Sequence, residues 1–422
     1  MNILLVGGGG REHAIVRKLR ENPKVRTIWA LPGNPGYGMD ADCIDISAED
    51  LDGVCEFAQE NPVDYAVVSP DDPLVMGLVD RLEALGIPCF GPNKAVAEIE
   101  GSKAFSKGLM EKYGIPTAKF KVFDDLDRAL AFIDQVGAPL VVKASGLAKG
   151  KGVMICPTED QAREAVRACM VEGKFGKSGE TCLIEEFLEG PEVTVLTFTD
   201  GKTLVPMVSS MDHKRALDGD KGLNTGGMGC IAPNPYYTDE VAKTCMETIF
   251  LPTMEAMNKE GRPFKGCLYF GLMLTKEGPK VIEYNCRFGD PETQVVLPLL
   301  ESDLLTIMEA VTEERLDQVE VNFSKDAACC VVLASEGYPQ AYQTGYPVTV
   351  SEEVLDKVHF AGVRLERESL LTSGGRVLTV TDRAKTLDQA IKKAYRSIQD
   401  CHFDHAYYRK DIGQEALKAR LS

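Results

Sequence analysis

The sequence predicts a multidomain chain of mixed α/β and α+β class. An N-terminal open parallel α/β domain precedes a central α+β region and a small C-terminal α/β domain. Three observations carry this. Strand-like and helix-like segments alternate through residues 2–91, as in βαβ units. A glycine-rich stretch at 143–153 sits between two short apolar strands. Segments Val193–Thr199, Thr203–Ser210, Cys267–Leu274 and Lys280–Asn285 then read as a largely antiparallel sheet, interrupted by helices around 239–258 and 303–311.

In order, Asn2–Val6 reads as a buried parallel strand, the run of four glycines at 7–10 as a tight turn, and His13–Arg20 as a helix. Val25–Ala30, Val63–Ser69 and Cys89–Gly91 are further strands. A helix is expected over Lys94–Tyr113, then one at Leu126–Val136, a strand at Pro139–Ala144, a strand at 153–156 and a helix at Thr158–Met170. Cys182–Phe187 is a strand that ends at a bend, Gly190–Pro191. Strands Ala327–Ala334 and Arg376–Thr381 with helix Leu387–Asp400 form the last unit. The expected domains are 1–103, a connecting segment 104–121, a lid 122–190, a central subdomain 191–326 and a C-terminal domain 327–422.

The 422 residues are 44% hydrophobic, enough for several cores, and the net charge of −17 argues against sequence-independent nucleic-acid binding. An anionic ligand must therefore be met by local clusters of Lys, Arg and backbone N–H groups. Thirteen scattered cysteines without a CxxC pair read as buried thiols of a reducing cytoplasm. The chain opens directly on a strand, and no apolar run reaches the ~20 residues of a membrane span. A cytoplasmic protein is expected, with no further domain after residue 422.

Five segments carry chemistry. Gly7–Gly10, after a strand and before a helix, offers open N–H groups and a positive helix end to an anion. The dinucleotide pattern fails, because the third glycine is replaced by Glu12 or His13 and no acid ends the second strand. A phosphate site is therefore read here rather than a dinucleotide site, with a structural turn as the alternative. In Lys143–Val153, Gly146, Gly150 and Gly152 let backbone approach phosphate oxygens, while Lys143, Lys149 and Lys151 supply charge. Lys103 opens a helix from which it can approach the same phosphates. At the bend, the backbone of Glu185, Glu186, Phe187 and Leu188 can read an adenine edge, and Glu192 can take ribose hydroxyls. In strand Lys280–Asn285 and the residues after it, Glu283, Asn285 and Arg287 alternate onto one face, with Ile282, Tyr284 and Cys286 on the other. Such a polar row suits a hard cation bridging phosphates, with an arginine on an anion beyond it. Met211–Gly229 is long, charged and glycine-rich, and loops of that kind inside a compact domain are usually functional.

Together these segments resemble the ATP-grasp superfamily, and within it the phosphoribosylamine–glycine ligase (glycinamide ribonucleotide synthetase) family. The resemblance rests on GGGGREHA at 7–14, GPNKAVAEIEGSKAFSK at 91–107, VVKASGLAKGKGV at 141–153, IEEFLEGPE at 184–192, DHKR at 212–215 with NTGGMG at 224–229, KVIEYNCRFGDPETQ at 280–294 and YRKDIG at 408–413. It implies an ATP-grasp fold and magnesium-dependent joining of glycine to 5-phosphoribosylamine through glycyl phosphate, with Mn²⁺ as the alternative metal. It further implies that Lys103, Lys143, Gly146, Lys151 and Gly152 hold ATP phosphates and that Glu283 and Asn285 hold the metal. Arg287, Asp212 and Lys214 would hold glycine and its acyl phosphate. Gly8, Gly9, Gly10, Arg11 and Glu12 with Asn34, Pro35 and Gly36 would hold the ribose phosphate, while Asn224, Gly226, Gly227, Gly289, Asp290, Pro291 and Glu292 complete the substrate side. The expected partners are small molecules only, with a monomer or weak homodimer.

The chain departs from the usual family pattern at Asp71, Ser145 and Pro191. Counting back along the hairpin places Gly271 where many ATP-grasp enzymes carry a second metal carboxylate, and Glu292 is one candidate to complete the coordination. A different ATP-grasp ligase or carboxylase, a dehydrogenase and a non-catalytic nucleotide sensor are the rival readings. The missing third glycine weighs against the dehydrogenase, and the presence of Glu283, Asn285 and Arg287 against the sensor.

Overall fold

The computed structural model describes residues 1–148 and 150–419, so Lys149 lies outside the described residues. The N-terminal domain is a five-stranded sheet in the order Asp42–Cys43, Thr27–Pro32, Asn2–Gly7, Tyr65–Val68, Cys89–Phe90. Every pairing is parallel. Ile3, Leu4, Leu5 and Val6 are fully buried, as a strand covered on both faces requires. The chain winds outward from the central strand in one direction and then in the other. That reversal opens a crevice beyond Gly7 and Val68, the position where open α/β sheets bind ligands.

Helix Gly10–Arg20 starts on this crevice. Gly8 has to be glycine, because a Cβ there would stand 2.5 Å from the carbonyl oxygen of Gly33. The helix expected over Lys94–Tyr113 is two helices, Lys94–Gly101 and Lys103–Tyr113. Ser102 is extended between them, and its hydroxyl accepts the N–H of Phe105 at 3.1 Å. Its capping of the second helix outweighs helical continuity. The break makes Lys103 the first residue of a helix.

The lid is a four-stranded antiparallel sheet, Phe120–Phe123, Cys182–Glu186, Leu140–Ala144 and Val153–Cys156, with helices Leu126–Val136 and Glu159–Met170 packed together upon it. Asp125 and Thr158 cap those helices through Arg128 N and Gln161 N. At the bend out of the lid, Gly190 has φ +150°, and a Cβ there would lie 2.1 Å from Leu274 O.

The central sheet runs Leu204–Pro206, Glu192–Asp200, Lys265–Thr275, Gly278–Asn285, all antiparallel. Its last pair contains a bulge: Gly271 faces Glu283 but Leu272 faces Val281. Ile282 is the extra residue, and this corrects the simple alternation expected from the sequence. The extra residue turns Ile282 toward the same cavity as Glu283 and Asn285.

The C-terminal sheet recruits chain from the central region. Met211–Asp212 and Gly229–Ala232 continue the sheet of Ala327–Ser335, Arg376–Ala384 and Val358–Phe360. The long loop 212–229 is thereby fastened at both ends to the C-terminal domain. Among the described residues, no helix is long and apolar enough to cross a membrane.

Candidate functional site

The lid, the central sheet, the N-terminal crevice and the C-terminal domain enclose one cavity of about 820 Å³. Of the sequence-derived residues, Arg11, Lys103, Lys143, Gly152, Glu185, Glu186, Phe187, Leu188, Glu192, Asp212, Lys214, Asn224, Gly226, Glu283, Asn285, Arg287, Asp290 and Glu292 line it. Asp71 lines it as well.

One wall is made of strands. Lys143 Nζ lies 3.0 Å from Glu185 Oε2 and donates to the carbonyl of Ile282 at 3.1 Å, the carbonyl freed by the bulge. Lys107 Nζ reaches the same carboxylate at 3.3 Å. All three groups are buried, and Glu185 Oε1 has no partner. Burial pulls the Lys107 ammonium down to about 8, opposed by Glu185. Lys103 donates to Gly146 O at 3.1 Å, and the N–H of Lys103 donates to Ser145 O at 2.8 Å. The helix start thus holds the glycine-rich loop. Burial also lowers the Lys103 ammonium, partly offset by Glu283.

Glu283 faces this lysine cluster. Burial opposes its ionisation, yet Lys214, Lys143 and Lys103 together hold it below the usual carboxylate range. Asn285 is satisfied when its amide nitrogen donates to Tyr284 O at 2.9 Å and Glu100 Oε1 at 3.2 Å, which turns its oxygen the other way. Glu283 and Asn285 therefore offer two hard oxygens suited to Mg²⁺. Gly271 stands directly opposite Glu283. Among the described residues, no three His, Cys, Asp or Glu side chains converge as a protein-only metal cage. Metals that bind together with phosphates need no such cage. Glu292, the candidate for completing the coordination, instead accepts from Tyr269 Oη at 3.0 Å.

The other wall is made of loops. Arg287 Nη2 pairs with the buried Glu100 at 3.0 Å while its Nε is buried and unpartnered. Glu100 also accepts the N–H of Cys286 at 2.7 Å. Burial raises the Glu100 carboxyl, and Arg287 works against that. Lys214 Nζ lies 3.4 Å from Glu283 and 3.6 Å from Glu192. Burial disfavours its charge, but Glu192 and Glu283 raise its pKa well above the usual lysine value. Asp212 is half-buried with its Oδ1 enclosed and unpartnered, and desolvation, reinforced by Glu292, moves it toward the neutral acid. Asp290 and Asp71 resist the same desolvation because arginines face them: Arg376 and Arg11 for Asp290, Arg287 and Arg11 for Asp71.

The remaining residues named from the sequence are not among those lining the cavity: Gly8, Gly9, Gly10, Glu12, Asn34, Pro35, Gly36, Gly146, the exposed Lys151, Gly227, Gly289 and Pro291. Two of them have braced side chains. Glu12 accepts from Gly9 N at 2.8 Å, Arg11 Nε at 2.6 Å and Ser69 Oγ at 2.6 Å. Asn34 donates to Gly8 O and Phe360 O and accepts from Gly36 N. They shape the turn and spend their polar atoms doing so.

Sequence reasoning passed over Lys107, Glu100 and Arg376. Lys107 had a signal: it follows Lys103 by one helical turn, so both project from one face. Glu100 ends the preceding helix, and Arg376 comes from a distant strand; it donates to Gly226 O and Asp290 O at 2.9 Å each. Nothing local marks either one.

Three family models match the chain: the phosphoribosylglycinamide synthetase N domain over residues 1–100, the ATP-grasp (A) domain over 101–293 and the C domain over 328–415. The phosphoribosylamine–glycine ligase of Clostridium acetobutylicum is 47% identical over 98% of this chain and 100% of its own length. The crystal structure of the Thermotoga maritima phosphoribosylamine–glycine ligase superposes with a TM-score of 0.87 at 33% identity, covering 98% of this chain and 100% of that one. The biotin carboxylase domain of Hydrogenobacter thermophilus 2-oxoglutarate carboxylase shares the fold, with a TM-score of 0.72 at 17% identity over 96% of this chain and 91% of that one.

Proposed function

Because the chain belongs to the phosphoribosylglycinamide synthetase family, we propose that its cavity joins glycine to 5-phosphoribosylamine at the expense of ATP, a step of purine biosynthesis. The products are glycinamide ribonucleotide, ADP and phosphate. The observation that carries the reading is the meeting of Lys103, Lys143 and Glu283–Asn285 on one wall with Arg287, Asp212 and Lys214 on the other.

A glycine carboxylate is too poor an electrophile for direct amide formation. Transfer of the γ-phosphoryl group breaks its bond to ADP and forms one to a carboxylate oxygen. The amine nitrogen then attacks the carbonyl carbon, the C–O bond to phosphate breaks, and the nitrogen loses a proton. Such transfer is mainly positioning and charge neutralisation. In this reading Lys103 and Lys143 hold phosphates beneath the loop of Gly146, Lys151 and Gly152, while the backbone of Glu185–Leu188 meets the adenine and Glu192 the ribose. Glu283 and Asn285 hold Mg²⁺, or Mn²⁺ as an alternative, which when bound neutralises phosphate charge. Arg287 and Lys214 anchor the carboxylate and the acyl phosphate, with Asp212 beside them. Arg11, Asp290 and the turns behind them at Gly8–Gly10, Asn34–Gly36, Gly226–Gly227 and Gly289–Glu292 face the ribose phosphate. The lid, residues 122–190, excludes water that would hydrolyse the acyl phosphate. We place the protein in the cytoplasm, as a monomer or weak homodimer. All thirteen cysteines are free thiols, which supports a reducing compartment.

An ADP-release assay with Mg-ATP, glycine and phosphoribosylamine generated in situ tests the reading. ADP should form only when both acceptor substrates are present; ADP formation independent of either one would overturn it.

A further inference from the structure

The segment Tyr408–Gly413 takes no direct part in the chemistry above, yet its Arg409 and Asp411 border the cavity. Arg409 is almost completely buried, with its side chain 2% exposed. It is bidentate to Asp411, Nε to Oδ1 and Nη2 to Oδ2, both at 2.8 Å. The same guanidinium then reaches the loop: Nη1 lies 2.8 Å from Asp220 Oδ1 and donates to Arg215 O at 3.1 Å. Neighbouring groups repeat the pattern. Gly219 N donates to Asp411 Oδ2 and Lys410 N to Asp218 Oδ1, each at 2.8 Å. The loop therefore has a fastener at 215 and at each of 218, 219 and 220, and all come from one short C-terminal stretch.

His213 completes the grip. Its Nε2 accepts the N–H of Gly413 at 3.1 Å, which leaves the proton on Nδ1 to face Gly229 O at 3.2 Å. Between His213 and Arg215 lies Lys214, whose ammonium reaches Glu283 and Glu192. Lys214 is the point where the loop meets the strand wall, and its neighbours on both sides are held by residues 409–413.

We propose that Arg409 is a positioning residue for the ligase step, which, through Asp220, Asp411 and the backbone of Arg215, holds Lys214 against Glu283. The proposal rests on the ligase reading. The guanidinium of Arg409 is spent on Asp411, Asp220 and the carbonyl of Arg215, so it acts by setting the place of Lys214. A displacement of about 1 Å in such a group costs up to about 10²-fold in rate. The lysines that grip the ATP phosphates lie in other elements, so the clamp meets the nucleotide side only through the contacts of Lys214 with Glu192 and Glu283 and is weakly coupled to nucleotide affinity.

The test uses the full chain and two variants. Arg409→Met removes the guanidinium that joins Asp411, Asp220 and the Arg215 carbonyl. Asp220→Asn removes only its exposed loop-side charge, and asparagine tolerates the φ of +53° at that position. In both, kcat should fall about 10- to 100-fold, while the dissociation constant of a fluorescent ATP analogue moves less than about threefold. Combined with Lys214→Met, Arg409→Met should cost nothing further in kcat, within about twofold, because both act at one point. Should Arg409→Met fail to fold, Asp220→Asn alone decides. Folded Asp220→Asn with wild-type kcat, an ATP affinity loss as large as the kcat loss, or additive effects in the double variant would each overturn the proposal. Wild-type protein making ADP without glycine would instead sink the ligase reading itself.

Discussion

The two walls of the cavity are built on different principles. The strand wall holds Lys143, Glu185 and Glu283 on hydrogen-bonded ladders, with Lys103 and Lys107 on a capped helix beside them. Charge is balanced within the wall, two lysines sharing one buried carboxylate. The loop wall holds Asp212 at the end of a two-residue edge strand, and Lys214, Asn224 and Gly226 on chain without a ladder beyond a small hairpin. Its order is imported from Arg376, Arg409, Asp411 and Gly413, more than 100 residues away in sequence. Under the proposed function, the regular wall would grip the phosphates, and the imported order would set the substrate side through contacts with the C-terminal domain.

The sharpest way to break this contrast is on the strand wall. Glu283→Ala and Lys143→Ala should each cost about 10³-fold in kcat with little change in thermal midpoint, since the ladders persist without these side chains. A large drop in midpoint would mean that the charges support the fold and that the wall is not an independent scaffold. A smaller effect is expected at Lys107. Its ammonium titrates at about 8, so wild-type affinity for an ATP analogue should weaken as pH rises through that value. Lys107→Met should bind roughly tenfold more weakly below it, by loss of a buried pair, and lose the pH dependence. An unchanged profile in the variant would remove Lys107 from the phosphate grip.

The smallest effect sharpens the loop side. Burial lowers His213, and likewise His13, from 6.5 to about 4. Each is therefore neutral in the folded protein where the unfolded chain would bind a proton. Their contribution to stability is complete above pH 6.5 and is lost as pH falls toward 4, at up to roughly 1.4 kcal/mol per pH unit for each. His213 fastens the loop, and His13 accepts from Phe360 N and donates to Asp40, joining the first helix to the C-terminal domain. On lowering the pH from 7 to about 4.5, hydrogen-exchange protection, corrected for the slower intrinsic exchange, should fall in 213–229 before the strand Gly278–Asn285. Simultaneous loosening of both walls would erase the distinction.

Most elements were legible because their signals are local. Leu126–Val136 follows from an Asp125 cap and an apolar stripe, and Asn2–Gly7 from an unbroken apolar run. The split at Ser102 was not, since capping competed with a helical pattern on both sides. The bulge at Ile282 was also hidden, because register depends on the partner strand.

The sequence by itself determined the chemistry on offer: a glycine-rich loop among lysines, a carboxylate and an amide two residues apart on one strand, and a charged loop of Asp212–Arg215. Those patterns are contiguous, and their meaning comes from backbone periodicity alone. Only the tertiary structure decided which charges share a partner. It gave Glu185 to both Lys143 and Lys107, paired Arg287 with Glu100, spent Glu12 and Asn34 on bracing a turn, and brought Arg376 and Arg409 to the cavity. The reason is that a buried charge must find its counter-charge in space, and the chain distance between the two carries no information about that meeting.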